Sequence, residues 1–364
     1  MIDIANPEFG EAEQAAVRRV LDSGMVADGP EVRAFESEFA DYCGADNAVA
    51  TANGTAALVA ALDGLGIGEG DTVVTTPFSF VASANAIRLV GADPVFADID
   101  PETYNLDPAA TRQAVREHDA DAVLAVHLYG LPADMDALCA LADEEDVLLL
   151  EDAAQAHGAR YGGQSVGTFG DAAAFSFYPT KNMTTGEGGM VVTDDDAVAE
   201  RTASFVNHGR DADGGSYAHP RLGHNLRMTS MAAAIGRVQL EKLPAWIQHR
   251  RSHAATLSAG LADVPGVEIP VEPDGTRHAY HQYTVRCADR DGLEERLADN
   301  GVGSAVYYPS PIHELGAYDG YDVTAPAAAA AADSVLSVPV HPGLTAEDVA
   351  HVVETVRQAS PQIQ

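Results

Sequence analysis

The sequence has few basic residues, and lysine is the rarer of the two types. Only 21 of its 364 residues are Lys or Arg, against 55 Asp or Glu, which gives a formal net charge of −34. Proteins that bind DNA or RNA need clustered Lys and Arg to neutralise phosphates, so this composition argues against a nucleic-acid partner. Because high salt weakens repulsion among dispersed acidic charges, we interpret the protein as halophilic, with an ordinary acidic protein as the alternative.

Cysteine clusters and long apolar runs are also missing. The three cysteines, Cys43, Cys139 and Cys287, are far apart and show neither a disulfide framework nor a metal-ligand spacing. No segment approaches the roughly 20 apolar residues that span a bilayer, and no basic segment followed by an apolar one opens the chain. The acidic run 194–196 is interpreted as a solvated turn. We therefore expect a cytoplasmic protein without a membrane segment, a signal peptide or a metal site.

Short apolar segments alternate with helical patterns through much of the sequence. This alternation predicts an α/β fold, in which helices cover both faces of a mainly parallel sheet. We expect a large domain of residues 1–240 and a smaller α+β domain of residues 241–364, joined by a long helical pattern that Pro244 interrupts. The seven predicted strands of the large domain are residues 48–51, 72–76, 94–98, 122–127, 147–151, 172–177 and 190–193.

The sequence contains only two lysines, and their predicted environments differ. Lys181 closely follows a predicted strand and precedes Gly186-Glu187-Gly188-Gly189, where glycines let the backbone turn tightly beside a ligand. An amine in such a place can form a Schiff base with an aldehyde cofactor when burial or nearby cations lower its pKa. Lys242 lies in an amphipathic helical pattern, and we interpret it as a surface cation.

Two further segments carry polar groups after predicted strands. Glu151 and Asp152 end an apolar strand, and ligands of parallel sheets bind beyond the carboxyl ends of strands. Residues 48–58 predict a strand, a turn at Gly54 and the start of a helix, whose free N–H groups attract a phosphate. Both segments also have a purely structural interpretation, in which their polar side chains only cap a turn or a helix.

These segments occur in order with several others, and together they resemble a known family. The matching segments are residues 53–55, 77–80, 94–100, 127–130, 151–158, 181–189, 222–228, 239–243 and 308–313. They resemble the DegT/StrS-type family of pyridoxal-phosphate (PLP) sugar aminotransferases over nearly the whole chain. The resemblance implies the fold type I architecture of PLP-dependent transferases and PLP as the cofactor.

The resemblance also implies roles for individual side chains. Lys181 matches the lysine that carries PLP, and Asp152 matches the carboxylate that pairs with the pyridine nitrogen. Asn225 matches a residue that reaches the phosphate of the neighbouring subunit, which implies a homodimer with shared active sites. His224 differs from the aromatic residue that usually precedes this Asn. The remaining cofactor-binding matches are Gly54, Thr55 and Ser176 at the phosphate, Gln155 near the phenolic oxygen and Phe80 stacked on the ring.

The activity that the resemblance implies is transfer of an amino group to a nucleotide-linked keto-sugar, with glutamate as the donor. Such a reaction serves the biosynthesis of surface polysaccharides or other glycan precursors. One alternative is a PLP-dependent sugar dehydratase of the same fold, in which a histidine replaces the lysine, so Lys181 argues against it. A second alternative is a non-catalytic regulator that keeps the fold, and the presence of both Lys181 and Asp152 argues against it.

Overall fold

The computed structural model describes residues 1–211 and 217–359. The described helices are α1 (Glu11–Ser23), α2 (Pro30–Cys43), α3 (Gly54–Leu65), α4 (Ala82–Leu89), α5 (Pro108–His118), α6 (Met135–Glu145), α7 (Asp196–Val206), α8 (Ser230–Leu261), α9 (Arg290–Asp299), α10 (Pro326–Ser334) and α11 (Ala346–Ala359). The described strands are β1 (Asn47–Thr51), β2 (Thr72–Thr75), β3 (Asp93–Phe96), β4 (Ala122–Val126), β5 (Leu148–Asp152), β6 (Arg160–Tyr161), β7 (Gln164–Ser165), β8 (Ala172–Ser176), β9 (Gly189–Thr193), β10 (Val267–Glu268), β11 (Thr276–Arg277), β12 (Tyr283–Cys287) and β13 (Val335–Val338). Single-turn 3₁₀ helices occur at Leu128–Gly130, Ile312–Glu314 and Gly316–Tyr318.

A seven-stranded sheet forms the centre of the larger part of the molecule, with the strand order β1-β9-β8-β5-β4-β2-β3. The strands from β8 to β3 in this order are parallel, and β9 runs antiparallel to both of its neighbours. Every strand of this sheet coincides with a segment predicted from the sequence, apart from small differences at the ends. The prediction of an α/β fold with a mainly parallel, seven-stranded sheet is therefore confirmed.

Helices cover both faces of this sheet, which explains why its strands are apolar on both sides. Leu124, Leu150 and Val191 pack in one core cluster with side chains of α3 and α7. On the other face, Val123 and Leu149 pack with side chains of α5 and α6, and the β8–β9 end of that face packs against α2 and α8. The sheet therefore offers ligands only its edges and its strand ends.

Helix α8 is continuous across Pro244, so the predicted interruption at this residue is wrong. Proline lacks the N–H group that would bond to the carbonyl four residues earlier, which removes one hydrogen bond from the helix. Packing offsets this loss, because Leu240, Leu243 and Ile247 are buried on either side of the proline. The helix contacts α1, α2 and α11, and so it connects the sheet-bearing part of the chain to the C-terminal part.

The C-terminal part contains a second sheet with the strand order β10-β12-β13, and a third small sheet has the order β11-β6-β7. Side chains of the second sheet pack with α9 and α11 in a core of their own. Ile2 forms a β-bridge with Val302, so the N-terminal residues join this part of the molecule. The predicted boundary between residues 240 and 241 falls inside α8, and the division into domains 1–240 and 241–364 stays a prediction.

Within the described ranges, no helix is long and apolar enough to cross a membrane. The same part of the chain contains no group of three or more His, Cys, Asp or Glu side chains that could hold a metal ion. The acidic run 194–196 is exposed and leads from β9 into α7, in agreement with the predicted solvated turn. Asp195 caps α7 by accepting hydrogen bonds from the N–H groups of Ala197 at 2.7 Å and Val198 at 3.3 Å.

Candidate active site

The carboxyl ends of three strands bring most of the predicted site residues to one edge of the large sheet. Asp152 is the last residue of β5, and Ser176 is the last residue of the parallel neighbour β8. β1 is antiparallel to β9, as β8 is, so β1 ends at the same edge and leads directly into α3 at Gly54. This edge is where ligands of parallel sheets bind.

Asp152 is buried at this edge, where the structure holds both of its carboxylate oxygens. Oδ2 accepts a hydrogen bond from Oγ of Ser83 at 2.7 Å, and Oδ1 accepts one from the N–H of Ala154 at 3.1 Å. Burial raises the pKa of Asp152, while these two hydrogen bonds and the positive charge of Lys181 oppose the rise. A buried carboxyl group with a raised pKa favours a cationic partner, because a nearby positive charge stabilises its ionised form.

The neighbouring carboxylate, Glu151, has a structural role. Its Oε1 accepts hydrogen bonds from the N–H groups of Phe169 at 2.7 Å and Gly170 at 2.9 Å. Its Oε2 accepts one from Gly167 N–H at 2.6 Å and lies 2.8 Å from Nε2 of His127. Burial alone would raise the pKa of Glu151, but the contacts with His127 and the backbone N–H groups lower it. Alternation along β5 thus directs one carboxylate to the site and the other to a loop.

Lys181 lies in the loop that follows β8 and is half-buried. Burial lowers the pKa of its amine to about 8, and the nearby charge of Asp152 limits this drop. The loop is tight, because Oγ1 of Thr184 donates to the carbonyl of Phe177 at 2.8 Å and the N–H of Lys181 bonds to the carbonyl of Tyr178 at 2.9 Å. A lysine with a lowered pKa has a larger neutral fraction near neutral pH, as a nucleophilic amine requires.

The start of α3 forms a cradle with the end of β8. Asn53 caps the helix by accepting a hydrogen bond from the N–H of Ala56 at 2.8 Å, which leaves earlier N–H groups of the first turn free for a ligand. A Cβ atom at Gly54 would lie 2.6 Å from Cβ of Ser176, and one at Gly189 would lie 2.5 Å from the carbonyl oxygen of Asn53. Glycine is therefore required at both positions for the helix to approach the strands this closely.

A third group of side chains faces the site from several segments. Oε1 of Gln155 accepts a hydrogen bond from the N–H of Tyr129 at 2.8 Å, and its Nε2 donates to the hydroxyl of Tyr308 at 3.1 Å. These two contacts fix the orientation of the amide. The ring of Phe80 lies 6.2 Å from that of Tyr308, and Phe80 is 56% exposed, which leaves a ring face free for stacking.

Asn225 is exposed, and its side chain makes no hydrogen bond to any described residue. Its backbone runs close to the cradle, because the next residue, Leu226, accepts a hydrogen bond from the N–H of Ala52 at 2.7 Å. The ring of His224 packs against Phe205, with ring centroids 4.9 Å apart. The predicted contact of Asn225 with a neighbouring subunit stays a prediction.

The interpretation of Lys242 as a surface cation is incomplete, because its side chain is 28% exposed but also pairs with a buried carboxylate. Its ammonium lies 2.6 Å from Oε1 of Glu13, a side chain that is only 2% exposed. Nε2 of Gln239 donates to the same oxygen at 2.9 Å, and Oε1 of Gln239 accepts from the N–H of Thr184 at 3.3 Å. Lys242 therefore neutralises a buried carboxylate that is connected to the loop of Lys181. The helical pattern could not show that α1 packs against α8 at this point.

Ser83, which holds Asp152, was not identified from the sequence. It lies in the first turn of α4 and is buried, as is Ser79, whose hydroxyl is 3.1 Å away. A signal was available, since Ser79 lies in the matched segment 77–80 and Ser83 follows that segment closely among apolar residues. The direction of a serine hydroxyl, however, depends on tertiary packing.

A comparison with family models matches residues 7–357 to the DegT/DnrJ/EryC1/StrS aminotransferase family. The chain belongs to this family. The family resemblance inferred from the sequence is therefore confirmed, and with it the PLP-dependent aminotransferase activity. PLP as the cofactor is confirmed as well, and one structural neighbour has been solved in PLP-form and in PMP-form.

Several proteins of known sequence or structure resemble the chain over nearly its full length. The dTDP-3-amino-3,4,6-trideoxy-alpha-D-glucose transaminase of Streptomyces venezuelae is 41% identical over 99% of this chain and 95% of its own. The crystal structure of DesV from S. venezuelae in complex with a ketimine intermediate has a TM-score of 0.93 and 41% identity, covering 97% of this chain and 95% of its own. A protein of Geobacillus stearothermophilus named "Pleiotropic regulatory protein" is 41% identical over 98% of this chain and 97% of its own.

The site fits the family cofactor on its own geometry. The cradle between Gly54 and Ser176 leaves no room for a Cβ atom, and its free helix N–H groups suit a phosphate. Asp152 is a buried carboxylate suited to a cation, as a protonated pyridine nitrogen would be. Lys181 adds an amine with a lowered pKa near this carboxylate.

Proposed function

We propose that this family member transfers an amino group from L-glutamate to a nucleotide-linked keto-sugar in the biosynthesis of surface polysaccharides or other glycan precursors. The observation that carries the proposal is the combination of half-buried Lys181, buried Asp152 and the glycine-lined cradle at the start of α3. The sugar acceptor is supported by the S. venezuelae relative, whose name gives a dTDP-amino-sugar as its product.

Lys181 and Asp152 are the proposed catalytic residues. When bound, PLP supplies an electron sink that acidifies the carbon bearing the amino group. Asp152, whose carboxylate is kept in place by Ser83 and Ala154, would hold a positive charge on the pyridine nitrogen. Nζ of Lys181 removes the α-proton of the amino donor and later delivers a proton to the sugar carbon that receives the amino group.

The other predicted contacts complete the proposed cofactor site. Gly54, Thr55 and Ser176 would hold the phosphate through the free N–H groups of the helix start and the two hydroxyls, and a Cβ atom at Gly54 would clash with Ser176. Gln155 would contact the phenolic oxygen, with its amide held by Tyr129 and Tyr308. Phe80 would stack on the ring with its exposed face.

Two alternatives are separated from this proposal by the same residues. A dehydratase of this fold would have a histidine in place of Lys181. A regulator without catalysis is a relevant alternative because one relative carries a regulatory name. A non-catalytic protein would not need an amine of lowered pKa near a buried carboxylate, and the placement of Lys181 near Asp152 supports the enzyme.

The direct test incubates the PLP-loaded protein with isotopically labelled L-glutamate and a panel of nucleotide-linked keto-sugars. We expect the labelled nitrogen in one amino-sugar, together with an equal amount of 2-oxoglutarate, as measured by mass spectrometry. Replacing glutamate by glutamine, aspartate or alanine identifies the donor. A protein that binds PLP but transfers no label from any donor to any sugar would favour the regulator.

We further infer that the protein works as a cytoplasmic homodimer in high salt. In such a dimer, Asn225 reaches the phosphate site of the neighbouring subunit. This is supported by its exposed, unbonded side chain and by the large exposed side chain of nearby Leu222. The net charge of −34 supports a salt-adapted surface.

Lowering the salt concentration should therefore dissociate the dimer. The charge on each subunit repels its partner more strongly in dilute buffer, where the Debye length grows to about 30 Å at 0.01 M salt. Salting-out ions, in contrast, strengthen apolar contacts. We expect dimer, bound PLP and activity to be lost over the same salt range, as measured by light scattering and PLP absorbance. A PLP-loaded monomer at low salt would contradict the shared site, and a stable dimer there would contradict only the halophilic interpretation.

A further inference from the structure

A cavity of about 280 Å³ lies beside Lys181. Its walls are the loop 179–184, the N-terminal segment 5–9, and side chains of α8 that include Arg250. Asn182 also lines it and is only 3% exposed. The cavity is smaller than the range of about 300 to 1,000 Å³ typical of pockets for drug-sized ligands. It can hold a compact molecule such as an amino acid, whereas a complete nucleotide-linked sugar needs more room.

Arg250 is a buried cation without an anionic partner in the described part of the chain. The residue is 5% exposed, and both of its hydrogen bonds come from Nη1, to the carbonyls of Tyr280 at 3.1 Å and His281 at 3.3 Å. Its Nε has no hydrogen-bond partner among the described residues. The adjacent Arg251 behaves as most arginines of this acidic chain do and pairs with a carboxylate, Glu272, at 2.6 Å.

The polar groups around Arg250 do not compensate its charge. Burial keeps the pKa values of His157 and His281 below the ordinary value, to about 3 for His157, so neither ring supplies or removes charge near neutral pH. Oδ1 of Asn182 has no hydrogen-bond partner within residues 1–211 and 217–359. Glu8 also lines the cavity, but its carboxylate is 3.9 Å from the ammonium of Lys242.

A buried charge of this kind is costly unless an opposite charge approaches it. The guanidinium has free N–H donors, and planar N–H pairs suit carboxylates. Any anion that enters the cavity comes next to Lys181, the amine of the proposed reaction. The unpaired Oδ1 of Asn182 adds an acceptor for an ammonium group or a water molecule beside that anion.

We propose that Arg250 binds a carboxylate of the amino donor in this cavity. This inference rests on the proposed function, which it extends by naming the group that selects the donor. Arg250 and Asn182 then form a donor subsite beside Lys181, apart from the phosphate cradle at Gly54. An α-amino acid matches the subsite because it combines a carboxylate for the arginine with an amino group next to Lys181.

The test measures binding of glutarate, a dicarboxylate without an amino group, to the PLP-loaded protein by isothermal titration calorimetry at constant ionic strength. We expect Arg250→Met to weaken glutarate binding by about tenfold to a hundredfold, because a charge-assisted, bidentate contact is lost. Arg250→Lys should recover part of the affinity. The control, Arg251→Met, removes the same charge one residue away but outside the cavity, and it should bind glutarate as the wild type does.

Kinetics supply a second readout. The KM for L-glutamate should rise in Arg250→Met by a factor similar to the loss of glutarate affinity, while the KM for the keto-sugar stays unchanged. If Arg250→Met does not fold, Asn182→Asp replaces it. This variant keeps the size of the side chain, places a negative charge in the cavity and should weaken glutarate binding by at least about tenfold.

Unchanged glutarate affinity in folded Arg250→Met, or in folded Asn182→Asp where that variant replaces it, would overturn the subsite. So would a wild type that does not bind glutarate.

Failure of the donor subsite can be distinguished from failure of the proposed function. If the protein transfers no amino group but still binds glutarate through Arg250, the anion site is supported and the proposed enzymatic function is excluded. If the protein aminates sugars and the variants have an unchanged KM for glutamate, the proposed function is supported and the donor subsite is excluded.

Discussion

Replacing Lys181 with alanine should abolish amino transfer. The amine of Lys181 has a pKa of about 8 and lies in the loop at the carboxyl end of β8, near Asp152. No other lysine can substitute for it, since the only other one, Lys242, is bonded to Glu13. Losing both the covalent anchor and the proton carrier should lower the rate by at least about a thousandfold. The measurements are turnover and the absorbance band of the bound cofactor.

The control for this variant follows from the structure. Lys242→Ala is a poor control, because it would leave buried Glu13 without its ammonium partner and would destabilise the protein. Lys242→Arg keeps the charge and should retain both turnover and the absorbance band. Borohydride reduction followed by peptide mass spectrometry should place the cofactor on Lys181 in the wild type and in Lys242→Arg. Turnover at the wild-type rate in Lys181→Ala would exclude the proposed mechanism.

Replacing Asp152 with asparagine should leave the cofactor bound while the rate falls by about a hundredfold to a thousandfold. The phosphate cradle at Gly54 and Ser176 is untouched by this change, so binding persists. A neutral amide cannot stabilise a positive charge on the pyridine nitrogen, and the electron sink weakens. Rates of the glutamate half-reaction, measured by stopped-flow absorbance, report this loss directly.

Ser83→Ala is the matched comparison for Asp152→Asn. It removes the 2.7 Å hydrogen bond to Oδ2 of Asp152 but keeps the carboxylate charge. We expect a smaller loss of rate, about tenfold, because the remaining contact with Ala154 still holds the other oxygen. Near-normal activity in Asp152→Asn would show that the aspartate is only a cap at the end of β5, the structural alternative that the sequence left open.

Sequence patterns predicted the large sheet well because its strands are buried on both faces. Such strands are continuous apolar segments, which end where the chain reaches the polar edge of the sheet. Residues 147–151 and 172–177 were predicted in this way, and they correspond to β5 and β8. The helix interruption predicted at Pro244 is wrong, because burial against neighbouring elements outweighs the local cost of the proline.

The sequence by itself determined the family, the cofactor and the positions of Lys181 and Asp152, because these follow from ordered local segments and from where strands end. Only the tertiary structure decided what surrounds those residues. It brought Ser83 to Asp152, bonded Lys242 to Glu13 and left Arg250 buried without a carboxylate from the part of the chain that the structure describes. These contacts join residues that are 69 and 229 positions apart in the first two cases. A side chain's partner at such separation depends on how helices pack on the sheet, and the periodicity of a single segment carries no information about that packing.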